Sequence, residues 1–159
     1  MNSQQFTETF RQFLPKVSQY LAYRVHANDI DDLASRIFEI AWQKRKSCPD
    51  GKELPWLYKI SGFVVSNHRR KVTAISLALF DTDATAPSAE DLVIADLSIK
   101  QAWGKLEAKD RTVLALAAYE QLGAAEIALA LGISNNAASI RLHRARKNFD
   151  SLLKEIEEN

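Results

Sequence analysis

The stretch Ala124–Phe149 constrains the fold most, because it predicts two helices joined by a very short turn. Apolar residues in its first part lie four apart, which places them on one helical face. Gly132 can take the left-handed conformation that ends a helix, and Ser134 or Asn135 can cap the next helix. The pattern predicts a helix-turn-helix, although an ordinary helical hairpin with a solvated basic face fits the same residues.

The second helix of this motif has an apolar stripe and a basic face. From Ala138 to Ile156, apolar side chains recur at alternating spacings of four and three. The remaining faces of the helix, as far as Phe149, carry polar and basic side chains with no acid among them, as expected of a helix that meets nucleic acid. These residues are Asn136, Ser139, Arg141, His143, Arg144, Arg146 and Lys147.

Charge is segregated along the chain, although the formal net charge is only +1. Four bases and no acid lie between Lys59 and Phe80, and five acids and no base lie between Asp81 and Ser98. The segment from Asn135 to Phe149 again has four bases and no acid. A phosphate backbone meets local charge, so a near-neutral total does not argue against DNA binding.

Other residue types argue against an enzyme and against a metal or cofactor site. The single cysteine, Cys48, excludes an internal disulfide and a thiolate cluster. The three histidines are scattered, and no phosphate-cradling glycine loop occurs. The N-terminus lacks a basic region followed by an apolar core, and no apolar run approaches bilayer length. We therefore expect a cytoplasmic protein without catalytic residues or cofactors.

Apolar periodicity predicts helices throughout the first half of the chain. The stripe from Phe6 to Val25 is interrupted by Pro15, which predicts two short helices or one kinked helix. A second helix follows and runs to about Lys46. A third begins near Pro55, which suits a first helical turn, and ends in the basic run His68–Lys71.

The second of these helices is apolar on two sides. A helix inside a bundle touches two neighbours, so the favoured interpretation is that both stripes belong to the core. The alternative is a docking face in which Asp32, Arg36 and Phe38 stay partly exposed.

Residues 77–90 are small, polar and acidic with no sustained period, which predicts a flexible linker. Beyond it, one amphipathic helix is expected from about Leu92 and another from about Val113, both packed around the helix-turn-helix. The sequence thus predicts an all-α fold: two small helical domains, residues 1–76 and 91–159, joined by a flexible acidic linker.

The segments that carry a family resemblance are Asp29–Trp42, Trp56–Lys71 and Asp110–Phe149. Together they resemble small alternative sigma factors of the extracytoplasmic-function class, the promoter-recognition subunits of bacterial RNA polymerase. The first resembles the family's acidic helix start, which docks on the polymerase clamp: DIDDLASRIFEIAW, Asp29–Trp42. The second resembles the segment that captures and melts the downstream promoter element: WLYKISGFVVSNHRRK, Trp56–Lys71. The third resembles the domain that reads the minus-thirty-five element: DRTVLALAAYEQLGAAEIALALGISNNAASIRLHRARKNF, Asp110–Phe149.

This resemblance implies binding to core RNA polymerase and promoter DNA, with control by a separate anti-sigma factor. It also implies a pocket for a flipped base near the loop Ser47–Glu53. The implied duplex contacts are Asn135, Asn136, Ser139, His143 and Arg144 near the bases, with Arg141, Arg146 and Lys147 nearer phosphates. The implied contacts with the minus-ten strand are Asn67, Arg69, Arg70 and Lys71. The implied polymerase contacts are Asp32, Leu33, Arg36 and Phe38.

The chain departs from the family pattern at three places. Ser35-Arg36 stands where the family commonly has Gln-Glu, and Gly62-Phe63 stands where it has Arg-Asn. In the second helix of the motif, the run Ala137–Ile140, which includes Ser139, lacks the family's base. Two other functions fit the sequence: a helix-turn-helix regulator that binds an operator without polymerase, and a sigma-like adaptor that does not melt promoters.

Overall fold

The computed structural model describes residues 1–73 and 82–159, and the regular structure in these ranges is helical. The predicted all-α fold is confirmed. Three long helices that pack against one another form the N-terminal half. They are α1 (Ser3–Ala22), α2 (Ile30–Gln43) and α3 (Glu53–Thr73).

Local capping explains where α1 begins. Asn2 accepts a hydrogen bond from the Gln5 amide at 2.9 Å, and its own amide donates to the Gln5 side chain at 2.9 Å. This reciprocal capping box satisfies two amides that a helix start leaves without partners. Pro15 lies inside α1, so the stripe predicted as two short helices or one kinked helix belongs to one helix.

Four further helices form the C-terminal half, and the longest of them packs on the other three. They are α4 (Leu97–Lys105), α5 (Ala108–Ala118), α6 (Ala124–Leu131) and α7 (Asn135–Glu158).

Three predicted helix boundaries differ from the structure, and the first is that of the helix predicted from about Val113, which already begins at Ala108. The helix α2 ends at Gln43 rather than near Lys46, because the chain passes into a short 3-10 helix at Arg45–Ser47. The helix predicted from Leu92 begins only at Leu97, where the Asp96 side chain accepts a hydrogen bond from the amide of the third helical residue.

The segment predicted as a flexible linker differs from the expectation wherever it is described. Thr82–Thr85 forms a 3-10 helix, and Thr85, Pro87 and Ala89 are buried. The Trp103 indole donates a hydrogen bond to the Pro87 carbonyl at 3.0 Å. Small side chains without a period resemble a solvated linker in sequence, but the same small size lets this segment fit between helices. The predicted linker residues 77–81 lie outside the described residues.

The two halves pack against each other as well as internally. Helix α6 lies on α3, and the 3-10 helix at Thr82–Thr85 contacts both α3 and α5. Buried apolar side chains of both halves form one continuous cluster, in which Leu21, Ile37 and Leu57 come from the first half and Val113 and Ile127 from the second. This packing places the segments that the sequence related to DNA on a common framework.

Candidate nucleic-acid interface

The helix-turn-helix has the geometry that its sequence predicts. Gly132 follows α6 with φ of 69°, the left-handed conformation in which a residue without a side chain is least strained. Ser134 caps α7 by accepting a hydrogen bond from the Ala137 amide at 3.0 Å. Ile127 of α6 and Ala138 of α7 are fully buried where the two helices meet. The turn chemistry therefore fixes the angle at which α7 leaves α6.

One face of α7 is open to solvent along the whole basic stretch. Its apolar stripe is buried through Ala138, Leu142 and Ala145, so the opposite side chains point outward. Seven of the eight predicted duplex contacts are exposed: Asn135, Asn136, Ser139, His143, Arg144, Arg146 and Lys147. This face has donors and positive charge, the chemistry that meets base edges and phosphates in a major groove.

The eighth predicted duplex contact, Arg141, is engaged inside the protein. Its Nη2 atom lies 3.1 Å from the Asp83 carboxylate and 3.2 Å from the Lys109 carbonyl, and the residue is half-buried. Arg141 therefore joins α7 to the segment between the halves.

The basic end of α3 contains the predicted strand-binding residues, which are not equally accessible. Lys71 is exposed, whereas Asn67 and Arg70 are half-buried. Arg69 donates to three backbone carbonyls: Ala84, Ala86 at 3.0 Å and Arg24 at 2.8 Å. Burial lowers the pKa of its guanidinium from the ordinary value. Arg69 thus stabilises the packing of the 82–86 segment in this structure.

A cavity of about 560 Å³ lies beside α3, where the sequence predicted a pocket near the loop Ser47–Glu53. Ser47 and Pro49 form part of its wall, and the exposed ring of Phe63 forms another part. Leu129 of α6 lines it from the C-terminal half. The bases Arg36, Lys44 and Lys59 also line the cavity, and none of the acids among the described residues does. Aromatic and basic walls suit an unstacked base and its phosphate.

The opposite side of the same loop is acidic. Glu8, Asp50 and Glu53 line a separate cavity of about 490 Å³, together with Cys48. Burial, and secondarily the charge of Glu53, raise the pKa of the Cys48 thiol to about 11. The thiol is therefore almost entirely protonated at neutral pH.

We expect Cys48 to alkylate slowly in the folded protein. Because its pKa is raised to about 11, its thiolate fraction near neutral pH is small. The rate of its reaction with iodoacetamide should therefore be lower than that of an ordinary thiol by a factor of about ten or more. The rate measured against pH gives the pKa directly. The urea-unfolded protein is the control, where the rate should report a pKa of about 8.5. Equal rates in the two states would contradict the burial argument.

The predicted polymerase-binding residues divide between surface and core. Asp32 and Arg36 are exposed and Leu33 is half-buried. Phe38 is only 4% exposed and packs edge-on against Phe10, with ring centroids 4.8 Å apart. The core interpretation of Phe38 is therefore the one that fits the structure, and its ring is not available to a docking partner.

A buried ion pair between the halves was not anticipated from the sequence. Arg24 Nη2 lies 2.6 Å from Glu120 Oε1, and the two side chains are 1% and 2% exposed. Arg24 also donates to the Tyr20 and Thr85 carbonyls, each at 3.1 Å. Burial raises the pKa of Glu120, and Arg24 only partly opposes this. The two residues are 96 positions apart, so local sequence patterns held no signal for the pair.

Among the described residues, no helix is long and apolar enough to cross a membrane, and no group of three or more metal-ligating side chains occurs.

Comparison with known proteins bears on the helix-turn-helix half first. Residues 96–149 match the family described as "Sigma-70, region 4". This part of the chain resembles a sigma-70 region 4 domain. The matched residues, called the region 4 domain below, include α4, α5, α6 and the basic part of α7.

The similarity extends beyond the region 4 domain. The chain is 28% identical to the RNA polymerase sigma factor NccH of Alcaligenes xylosoxydans xylosoxydans, with 83% of this chain and 77% of that protein covered. The resemblance to sigma factors of the extracytoplasmic-function class is confirmed.

Two solved structures share the fold. One is the sigma factor RpoE in complex with the anti-sigma factor NepR from Bartonella quintana, with a TM-score of 0.64, 19% identity, and coverage of 95% of this chain and 98% of that chain. The other is CnrH in complex with the cytosolic domain of CnrY, with a TM-score of 0.65, 24% identity, and coverage of 97% and 90%. Both cover the N-terminal half of this chain as well as the region 4 domain.

Proposed function

We propose that this chain is a sigma factor of the extracytoplasmic-function class, which binds core RNA polymerase and directs transcription initiation at specific promoters. The observation that carries the proposal is a region 4 domain at residues 96–149 within a chain that resembles the sigma factor NccH over most of both lengths. The named relative is a sigma factor rather than an enzyme, and the proposed activity is recognition without catalysis.

The region 4 domain would read the minus-thirty-five element as duplex DNA. In this assignment α7 enters the major groove, with Asn136, Ser139, His143 and Arg144 toward base edges. The exposure of these side chains and the absence of an acid on this face support the assignment. Arg146 and Lys147 would meet phosphates, as would Arg141 after it leaves Asp83.

The N-terminal half would hold the separated strand of the minus-ten element. Support comes from Lys71 and Arg70 at the end of α3 and from the basic, aromatic cavity beside that helix. A flipped base would enter this cavity near Phe63, where stacking offsets the cost of leaving the duplex. The chain would thus use two chemically different DNA surfaces.

The proposed protein partners are core RNA polymerase and an anti-sigma factor. Asp32, Leu33 and Arg36 on α2 are the proposed polymerase contacts, without Phe38, because its ring is buried. The anti-sigma assignment draws support from RpoE, whose structure contains the anti-sigma factor NepR. Both partners would be met in the cytoplasm.

A run-off transcription assay tests the proposal. Purified core RNA polymerase is incubated with a genomic fragment library, with and without this protein, and the transcripts are sequenced. We expect new transcripts whose start sites share one upstream pattern only when the protein is present.

The same assay distinguishes the competing functions. A helix-turn-helix regulator would give no such transcripts and would bind an operator tightly without polymerase. A sigma-like adaptor would bind core polymerase but leave the promoter unmelted. Either result would overturn the proposed function.

A further inference from the structure

The segment Thr82–Ala86 lies between the two proposed DNA surfaces and contacts a base from each. Its Asp83 carboxylate is 3.1 Å from Arg141 on the recognition helix. Its Ala84 and Ala86 carbonyls accept hydrogen bonds from Arg69 on α3. One short stretch thus occupies an arginine that would meet duplex phosphates and another that would meet the separated strand.

We propose that the 82–86 segment is an internal competitor for DNA, which must leave Arg141 and Arg69 before the chain can use both surfaces. This inference rests on the proposed function. The Asp83 carboxylate can compete with a DNA phosphate for Arg141, because a guanidinium donates charge-assisted hydrogen bonds to the anionic oxygens of either group. The backbone carbonyls offer neutral acceptors to Arg69, so a phosphate would replace them with a charged one.

The two contacts differ in how readily DNA can displace them. The Arg141 and Asp83 side chains are 28% and 35% exposed, so solvent and phosphate can reach this pair, and exposed ion pairs contribute little stability. Arg69 is half-buried and holds three carbonyls. Displacement would therefore begin at Asp83 and reach Arg69 only when the segment moves.

The buried residue Thr85 explains why the 82–86 segment stays packed against the protein. Thr85 is buried, its carbonyl accepts from Arg24 at 3.1 Å, and its hydroxyl donates to the Thr82 carbonyl at 2.8 Å. Arg24 is held in turn by Glu120. Thr85 is therefore held in place, whereas Asp83 can exchange its partner. Because Thr85 is held, the Asp83 carboxylate stays at a high effective concentration beside Arg141.

The first test removes the competing charge from the full-length protein. Asp83→Asn keeps the size of the side chain and deletes its charge. Its affinity for a fluorescein-labelled random-sequence duplex at low ionic strength should rise about twofold to fivefold, the range expected for loss of a partly exposed ion pair. Glu90→Gln removes the same charge from an exposed position nearby and should give a smaller rise.

A double-mutant cycle shows whether the gain depends on Arg141. Asp83→Asn should raise duplex affinity in the wild-type background and have little effect beside Arg141→Ala. The proposed competition is overturned if the Asp83→Asn variant binds duplex no better than the Glu90→Gln variant, or if its gain in affinity persists without Arg141. DNA binding and the proposed function would still stand. If no variant binds duplex and the wild-type chain gives no run-off transcript, both fail.

Hydrogen exchange tests the same idea without a substitution. A saturating duplex, or an oligo(dT) strand, should speed amide exchange in peptides covering residues 82–92 of the full chain, because the displaced segment loses its packing. Exchange in α5 serves as the internal reference. Unchanged or slower exchange of the segment at saturation would overturn the proposal.

Discussion

Replacing Glu120 by leucine should lower the free energy of unfolding by about 3–5 kcal/mol, the range measured when one partner of a buried ion pair is removed. Arg24 Nη2 lies 2.6 Å from the Glu120 carboxylate, and both side chains are almost fully buried. The substitution leaves a guanidinium in the interior without its counter-charge. Urea denaturation followed by circular dichroism measures the loss.

The chain offers matched controls for this prediction. Glu39 pairs with Arg36 at 3.4 Å on the surface, so Glu39→Leu removes a comparable pair without burial and should cost about 1 kcal/mol or less. The double change Arg24→Met with Glu120→Leu should recover much of the loss, because no unpaired charge stays buried. If Glu120→Leu costs no more than Glu39→Leu, the pair does not stabilise the junction.

Glu120→Gln separates the charge of this residue from its size. Burial raises the pKa of Glu120, and the opposing effect of Arg24 is smaller, so the charge of this carboxylate is less favoured in the folded protein than in water. A neutral amide that keeps the hydrogen bond should therefore cost less than leucine. A larger loss for glutamine than for leucine would contradict this.

Replacing Arg144 by alanine should weaken recognition of the duplex element by about 1–3 kcal/mol, the worth of one good base contact. Arg144 is exposed on the basic face of α7, next to His143. Arg70→Ala, at the end of α3, should instead reduce strand opening. Binding of the polymerase complex to a promoter found by run-off transcription reports the first step, and permanganate reactivity of unpaired thymines reports the second.

Two exposed lysines provide controls with the same loss of charge. Lys154→Ala lies on α7 beyond the recognition face, and Lys16→Ala lies on α1. Neither substitution should change promoter binding or strand opening by more than about 0.5 kcal/mol. If Arg144→Ala and Arg70→Ala impair binding and opening equally, the proposed division between the two DNA surfaces is wrong.

Features set by neighbouring residues could be predicted from the sequence, whereas those set by distant residues could not. Gly132 and Ser134 determine the turn of the motif through their own backbone and side-chain chemistry: Gly132 acts as predicted, and Ser134 is the cap of the two candidates, Ser134 and Asn135. Arg24 and Glu120 meet only because the halves pack together. A sequence pattern holds no information about that meeting.

The same distinction explains why the sequence does not reveal the internal contacts of two basic residues that are predicted to bind DNA. Charge segregation identified Arg69 and Arg141 as bases in acid-free stretches, which is correct. It could not show that carbonyls of the 82–86 segment and the carboxylate of Asp83 already occupy them. The small residues of that segment, which have no period, predict a flexible linker. Hydrophobic periodicity identifies the buried face of a helix, but it does not identify an irregular segment that packs between helices.

The cavity beside α3 takes part of its wall from each half, since Leu129 of α6 lines it. A small molecule that needs this wall would find its complete site only while α6 rests on α3. Such a compound would shift the population toward that arrangement by its differential affinity, and it would occupy the cavity proposed for the flipped base beside Phe63. The completeness of the cavity thus depends on the packing of the two halves.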